Sequence, residues 1–275
     1  MTRSHFPVAR VSALVAVVVG AFLTGQHTGG PRWRELAPGV EFTTLRGEPY
    51  CRSGSATLAV LRLDPTKVRL RVHHFSREPE GRPLDLTEWQ RRSGALAAFN
   101  AGQYYGDYSY MGLLAGQGTW ISRHRHPTFQ AALVAGPRDG GLDARVLDLA
   151  RDGLDTDSLR WNEVAQSFML LDRDGTVRVR HSDQVADRTA VGQDRHGRLV
   201  VLVTEGGYTL WDFAQLLRRL PLDLALVMAM DGGREAELLV SAGDFRYASF
   251  GQWLPGALPP PPPVPLPAVV TVERP

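Results

Sequence analysis

Short apolar runs that end in polar, glycine-containing segments constrain the fold of this chain more than any other feature of its sequence. The clearest examples are 199–203, which continues into Thr204-Glu-Gly-Gly207, and 224–230, which continues into Asp231-Gly-Gly233. Runs of this length favour buried strands, because helices in globular proteins are usually longer. Further strands are predicted at 57–63, 68–72, 95–99, 129–134, 168–171, 177–180 and 268–272, the last of them at a sheet edge.

Turns and helices complete the predicted architecture. Asp64–Lys67 and Asp172–Gly175 are each predicted to join the strands on either side of them into a hairpin. Helices are predicted over 87–92 and from the capping residue Thr209 to about Arg219. Together these elements predict an α+β fold with a mixed β-sheet, hairpins and flanking helices, in a single domain that covers 31–275.

Composition narrows the classes of partner and cofactor. The 275 residues are 43% hydrophobic, which provides enough apolar material for a sizeable core. The formal net charge of +2 gives no electrostatic reason to expect nucleic acid as a partner. Cys51 is the only cysteine, so an intrachain disulfide and a cysteine-based zinc site are both excluded. His124 and His126 lack an acidic neighbour and are interpreted as solvated loop residues, so neither a metal nor a cofactor is predicted.

The N-terminal segment, residues 1–30, has the pattern of an export signal. Residues 1–10 carry basic side chains and no acid, and residues 11–23 carry no charge. This uncharged run is shorter than the roughly 20 residues of a typical membrane span, although an uncleaved anchor remains an alternative. We therefore expect an exported protein, either released or held at the outer side of the cytoplasmic membrane. Near the other end, the proline run 259–263 predicts an extended polyproline II connection.

Four polar segments lie at or near the ends of predicted strands, and they carry the candidate chemistry. They are Asn100–Gly102, Arg188–Gly192, Glu205–Gly206 and Asp231–Gly233. Functional residues are often found on such loops, where a rigid scaffold holds them. An arginine can bind phosphate or carboxylate through two parallel hydrogen bonds, and two nearby acids can divide the roles of general acid and base. These residue types indicate phosphate or sugar chemistry.

The order and spacing of five segments over about 95–240 resemble the phosphodiester glycosidase family. The segments are Phe99-Asn-Ala-Gly-Gln-Tyr104, Arg188-Thr-Ala-Val-Gly192, Gly197-Arg-Leu-Val-Val-Leu-Val203, Thr209-Leu-Trp-Asp-Phe-Ala214 and Met230-Asp-Gly-Gly233. The resemblance implies that the chain hydrolyses a sugar-1-phosphodiester or a related glycosidic bond. It implies a glycan or sugar phosphate as the partner and no cofactor.

The resemblance also suggests roles for individual residues. Asp231 and Glu205 are the expected acid/base or nucleophile pair, Arg188 is expected to hold the phosphoryl group, and Asn100 to orient a sugar hydroxyl or phosphate oxygen. Seven further residues are expected to contact the substrate: Gly102, Tyr104, Ser167, Thr189, Gly206, Gly232 and Gly233.

The sequence departs from the family pattern at three places. Ala101 replaces a glycine, and Gln103-Tyr104 replaces a pair of phenylalanines. Arg234 and Glu235 follow Asp231-Gly-Gly233, where the family has small and hydroxyl-bearing residues suited to phosphate. Two interpretations therefore stay open: a hydrolase with an altered substrate, or a catalytically inactive glycan-binding or structural domain of the cell envelope.

Overall fold

The computed structural model describes residues 30–252 and 262–275. Within these ranges two α-helices, α1 (Leu86–Ser93) and α2 (Leu210–Leu217), accompany seventeen strands. In chain order the strands are β1 (Arg34–Ala37), β2 (Val40–Arg46), β3 (Ser53–Leu63), β4 (Arg69–His74), β5 (Ala97–Asn100), β6 (Leu114–Gly116), β7 (Thr119–Ser122), β8 (Ala131–Pro137), β9 (Ala144–Asp148), β10 (Trp161–Ser167), β11 (Met169–Leu171), β12 (Thr189–Asp194), β13 (Leu199–Gly207), β14 (Leu224–Ala229), β15 (Leu238–Ala242), β16 (Phe245–Ser249) and β17 (Ala268–Glu273).

The strands form three sheets. A seven-stranded sheet has the order β1-β2-β3-β13-β12-β14-β11, and two five-stranded sheets have the orders β7-β6-β10-β8-β9 and β16-β15-β5-β17-β4. Every strand pairing in them is antiparallel. The predicted α+β class with a mixed sheet is therefore wrong, and the fold is β-rich. The apolar runs do form strands, but they pair with antiparallel neighbours and leave little of the chain for helices.

Two cores cover opposite faces of the seven-stranded sheet. The larger core lies between the three sheets, and it holds Val203 of β13 and Met228 of β14. The second core lies between the same sheet and α2, and it holds Ala229 of β14 and Phe213 of α2. Because successive side chains of a strand point to opposite faces, the parity of a residue decides which core it meets.

One predicted hairpin does not form. The turn at Asp64–Lys67 is present, and the Lys67 amide donates to the Asp64 carbonyl at 3.0 Å. However, β3 pairs with β2 and β13 in the seven-stranded sheet, whereas β4 pairs with β17 in another sheet. The second predicted hairpin, around Asp172–Gly175, forms only in part. β11 pairs with the segment after the turn through one isolated β-bridge, between Leu171 and Val177.

Both predicted helices are present, with the expected caps. Asp85 accepts from the Glu88 amide at the start of α1, and Thr209 accepts from the Asp212 amide at the start of α2. β17 confirms the predicted last strand, but it lies between β5 and β4 and not at an edge.

Two predictions concern segments that lie mostly outside the described residues: the export signal at 1–30, of which only Gly30 is described, and the polyproline connection at 259–263, of which only 262 and 263 are described. Among the helices that are described, none has the length and apolarity needed to cross a membrane.

Candidate active site

The ends of three neighbouring strands bring the central candidate residues together. β12 lies between β13 and β14, and its first residues, Thr189 and Ala190, pair with Val203 and Ala229. Since both neighbours run antiparallel to β12, the end of β14 lies beside the residue that precedes β12. Arg188 and Asp231 are therefore adjacent in space, although the sequence between them includes three strands and a helix.

A cavity of about 200 Å³ opens at this point, on the α2 side of the sheet. Four of the predicted site residues line it: Arg188, Asp231, Gly232 and Gly233. The rest of the lining comes from Gln103, Phe168, Gln184, Ala186, Leu210, Ala229 and Met230. Its volume is below the roughly 300–1,000 Å³ of sites for drug-sized ligands, and it suits one small polar group.

Arg188 is a buried cation with neutral partners. Its side chain is 6% exposed, and it donates from Nε to the Tyr208 carbonyl at 2.9 Å and from Nη2 to the Gln184 carbonyl at 2.7 Å. In the described part of the chain it forms no salt bridge. Burial lowers the pKa of Arg188 to about 10, against the opposing effect of Asp187 and Asp231. The guanidinium is thus charged at neutral pH and is suited to an anionic ligand.

Asp231 is a carboxylic acid with a raised pKa. Burial is the main cause, and the negative charge of Glu235 adds to it, so that the pKa of Asp231 is about 7. A hydrogen bond from the Gly232 amide and the charge of Arg188 act in the opposite direction. A group with this pKa can exchange a proton near neutral pH, as general acids and bases do.

The two glycines after Asp231 use their amides within the protein. Gly232 donates to Oδ1 of Asp231 at 2.9 Å, and Gly233 donates to the carbonyl of Asp187 at 2.9 Å. A Cβ atom at position 232 would lie 2.9 Å from the Asp187 carbonyl oxygen and 3.1 Å from Nη1 of Arg188. The glycine is therefore required for close packing against Arg188, and both amides already have acceptors within the protein.

Asn100 and Thr189 hold the backbone around the cavity and are themselves fully engaged. The Asn100 amide group donates to the Asp231 carbonyl at 2.9 Å, and its Oδ1 accepts from the Thr189 hydroxyl at 2.8 Å and from the Glu237 amide at 3.2 Å. Both side chains are almost completely buried. Asn100 thus positions Asp231. The resemblance implied that Asn100 orients the substrate, but in the structure its side-chain amide binds only protein groups.

The segment after Asn100 contributes one residue to the cavity wall. Gln103 donates to the Met230 carbonyl at 3.0 Å and accepts from the buried Ser167 hydroxyl at 2.9 Å. Ser167 therefore does not line the cavity itself, but its hydrogen bond helps to hold the Gln103 side chain in the cavity wall. Tyr104 lies beside this wall and donates to Glu235, while the Gly102 amide donates to the hydroxyl of Tyr110.

Glu205 does not join the cavity. Its Oε1 accepts from the Tyr247 hydroxyl at 2.6 Å, and its Oε2 accepts from the Ser55 hydroxyl at 3.3 Å. Tyr247 packs against the core between the sheets, so Glu205 lies on the face opposite to α2. Gly206 follows it in β13 and accepts from Thr204. The expected pairing of Glu205 with Asp231 in one cavity is not what the structure shows.

Sequence reasoning missed three residues near Arg188. Gln103 and Gln184 line the cavity. Asp187 is 3% exposed, accepts from the Gln252 amide at 2.9 Å and has a second carboxylate oxygen without a partner in the described part of the chain. Burial raises the pKa of Asp187 to about 7. In the sequence, only the position of Asp187 next to Arg188 could have indicated that Asp187 belongs to the site.

The described residues contain no group of three or more His, Cys, Asp or Glu side chains placed to hold a metal ion. His126 stacks on Phe129, with the ring centroids 3.9 Å apart.

Comparison with known proteins decides the family. The sequence model of phosphodiester glycosidases matches residues 93–257, which is more than half of the chain. The chain belongs to the phosphodiester glycosidase family. This membership confirms the predicted enzyme class, a hydrolase that acts on glycosyl bonds. No curated protein sequence matches the chain.

Solved structures show that this phosphodiester glycosidase shares its fold with other proteins. One is the catalytic domain of zebrafish N-acetylglucosamine-1-phosphodiester alpha-N-acetylglucosaminidase, auto-inhibited by its pro-peptide. It matches with a TM-score of 0.64 and 18% identity, over 90% of this chain and 87% of the zebrafish chain. A hypothetical protein from Synechocystis matches with a TM-score of 0.59 and 13% identity, over 90% of this chain and 64% of that one.

Proposed function

We propose that this phosphodiester glycosidase hydrolyses a sugar-1-phosphodiester in the cavity lined by Arg188 and Asp231. One observation carries the proposal: a buried arginine that forms no salt bridge with any described residue and a carboxylic acid with a pKa of about 7 line the same cavity. Perturbed titratable groups that converge in a cavity are typical of active sites. The cation suits the phosphate, and the acid suits the proton transfer that hydrolysis requires.

In this mechanism Arg188 binds the phosphodiester and stabilises the charge that develops on the leaving phosphate. The bond between the sugar C1 atom and the phosphate oxygen breaks, and its electron pair stays with the phosphate monoester. Because the second pKa of such a monoester is about 6, it leaves as an anion without a strong acid to protonate it. A single carboxyl group in the cavity is then sufficient.

Asp231 supplies that carboxyl group as the general base. Above its pKa of about 7 the carboxylate accepts a proton from water while the water oxygen bonds to C1. Asn100 supports this role by holding the Asp231 carbonyl, Gln103 holds the Met230 carbonyl next to it, and Gln184 lines the cavity.

The test is hydrolysis by the purified full chain of diesters that join C1 of a sugar to an alkyl phosphate. We expect release of the free sugar, with kcat/KM rising as the pH increases through about 7, because the deprotonated form of Asp231 is the active one. A folded protein that hydrolyses no diester but binds glycans would favour the inactive glycan-binding domain and would overturn the proposal.

We also propose that the chain acts outside the cytoplasmic membrane. The basic residues 1–10 and the uncharged run 11–23 support export. Cell fractionation with an antibody against the chain tests this proposal. Full-length protein in the cytoplasm would contradict it, and full-length protein in the membrane fraction would indicate an uncleaved anchor.

A further inference from the structure

A second group of side chains borders the cavity beside Asp231. The Tyr104 hydroxyl donates to Oε1 of Glu235 at 3.2 Å. Tyr104 directly follows Gln103, and Glu235 lies two residues after Gly233; Gln103 and Gly233 both line the cavity. We call Tyr104, Tyr108 and Glu235 the acidic rim.

Charge in this region is unbalanced. Glu235 forms no salt bridge within the described part of the chain. The neighbouring cation, Arg234, is directed elsewhere, since its Nη2 donates to the Pro262 carbonyl at 3.2 Å. The negative charge of Glu235 is close enough to Asp231 to raise the pKa of its carboxyl group. Among the described lining residues Arg188 is thus the single cation, whereas two carboxyl groups, Asp187 and Asp231, act on it and a third, Glu235, acts on Asp231.

The acidic rim also presents aromatic surface to solvent. Tyr108 is 42% exposed, and its ring centroid lies 5.9 Å from that of Tyr104. Tyr108 has a φ of 67°, in the left-handed region that non-glycine residues seldom adopt. Its amide donates to the Tyr105 carbonyl at 2.8 Å, which helps to hold this backbone conformation. Backbone strain of this kind is often found where a loop serves binding.

Carboxylates and aromatic faces together are the groups that bind ammonium ions. The face of a tyrosine ring attracts cations, and a nearby carboxylate adds a charge-assisted hydrogen bond. A phosphodiester that enters the cavity brings one negative charge into a region where the described residues already supply three carboxyl groups, Asp187, Asp231 and Glu235, and one lining cation, Arg188. A positive charge on the substrate, placed at the acidic rim, offsets that repulsion.

We propose that the substrate is a zwitterionic phosphodiester, whose phosphate contacts Arg188 and whose ammonium group binds at the acidic rim between Glu235 and the tyrosine rings. This inference rests on the proposed function and names its substrate class. The ammonium group belongs either to the alcohol part of the diester or to an amino sugar, and the chemistry of recognition is the same in both cases.

The test compares three phosphodiesters that differ in whether they carry an amino group and where. They are an uncharged sugar joined through its 1-phosphate to propanol, the same sugar 1-phosphate joined to 2-aminoethanol, and a 2-amino sugar 1-phosphate joined to propanol. We expect one of the two amino diesters to exceed the diester without an amino group at least tenfold in kcat/KM. Which one it is identifies the part of the substrate that carries the ammonium group.

Glu235→Gln tests the acidic rim itself, because glutamine keeps the shape and the hydrogen bond from Tyr104 but removes the charge. The preference for the amino diester should fall below threefold in this variant. Glu35→Gln is the matched control: it removes the same charge from an exposed residue of β1, and the preference should be retained. Thermal unfolding of both variants verifies that they fold.

The outcomes separate this inference from the proposed function. Equal rates for all three diesters, or an amino preference that survives Glu235→Gln, overturn the zwitterionic substrate and leave the glycosidase standing. If no diester is hydrolysed, the proposed function fails, and calorimetric titration with 2-aminoethyl phosphate and propyl phosphate then tests the acidic rim. Binding of the amino compound at least tenfold more tightly, lost in Glu235→Gln, supports the inference; equal or undetectable binding overturns it.

Discussion

Asp231 and Glu205 are two carboxylates at the ends of the strands that flank β12, yet they lie on opposite faces of the same sheet. Asp231 faces the α2 side and lines a cavity with Arg188. Glu205 faces the side of β16, where the hydroxyl groups of Tyr247 and Ser55 bind its two carboxylate oxygens. Both carboxylates lie near a strand end, and they differ in the face of the sheet that they occupy.

The comparison shows what turns a carboxylate into a candidate catalytic group. Burial and the charge of Glu235 raise the pKa of Asp231 to about 7, and the cavity leaves room for a ligand. Glu205 instead has hydrogen-bond donors on both oxygens, which is the pattern of a carboxylate with a structural role.

The largest effect is expected for Arg188→Gln, which removes the only cation among the described residues that line the cavity. We predict that kcat/KM for a sugar-1-phosphodiester falls about 30-fold to 5,000-fold, since a buried charge that contacts a substrate anion contributes roughly 2–5 kcal/mol. Tyr247→Phe is the matched change on the Glu205 face and should alter kcat/KM less than about threefold. A larger loss for Tyr247→Phe than for Arg188→Gln would break the comparison.

A smaller effect is expected for Asp187→Asn, and it concerns stability. The pKa of Asp187 is raised to about 7 in the folded protein, so the folded state binds a proton more tightly than the unfolded state does. Wild-type stability contributed by this group is present below the unfolded pKa of about 3.9 and is lost as the pH rises through about 7.

Asparagine does not titrate, so the stability of the variant should increase relative to that of the wild type as the pH increases. We predict that its free energy of unfolding, relative to wild type, rises by about 2.6 kcal/mol between pH 5 and pH 8, which is about two pH units at roughly 1.36 kcal/mol each. Urea denaturation at both pH values measures this difference. A difference between the two proteins that does not change with pH would contradict the buried, protonated state of Asp187.

The positions of the strands could be predicted from the sequence, but their partners could not. Apolar runs such as 199–203 and 224–230 became β13 and β14, because local patterning determines which segments are buried and extended. The turn at Asp64–Lys67 formed as predicted, while the strands around it entered different sheets. Pairing depends on contacts between residues that are distant in sequence, and an isolated pattern does not encode them.

The same limit applies to the site. Asn100, Arg188, Glu205 and Asp231 were predicted to line one pocket, and β12 and β14 bring two of them, Arg188 and Asp231, into the same cavity. In the sequence Glu205 was as strong a candidate as Asp231, since both follow apolar runs. The sequence does not show which face of the sheet Glu205 occupies, because that depends on how β13 pairs. Asn100 was expected to contact a ligand, but all its hydrogen-bonding groups were found to bind the protein, and a sequence does not reveal that kind of saturation.

The central claim is that catalysis belongs to the Asp231 face of the sheet and not to the Glu205 face. The most direct test compares Asp231→Asn with Glu205→Gln, two changes that each remove a carboxylate and preserve its shape, in one assay of sugar-1-phosphodiester hydrolysis. We predict that Asp231→Asn lowers kcat at least about 100-fold, the usual contribution of a general base, and that Glu205→Gln lowers it less than about fivefold. Equal losses in the two variants, or a greater loss for Glu205→Gln, would contradict the account.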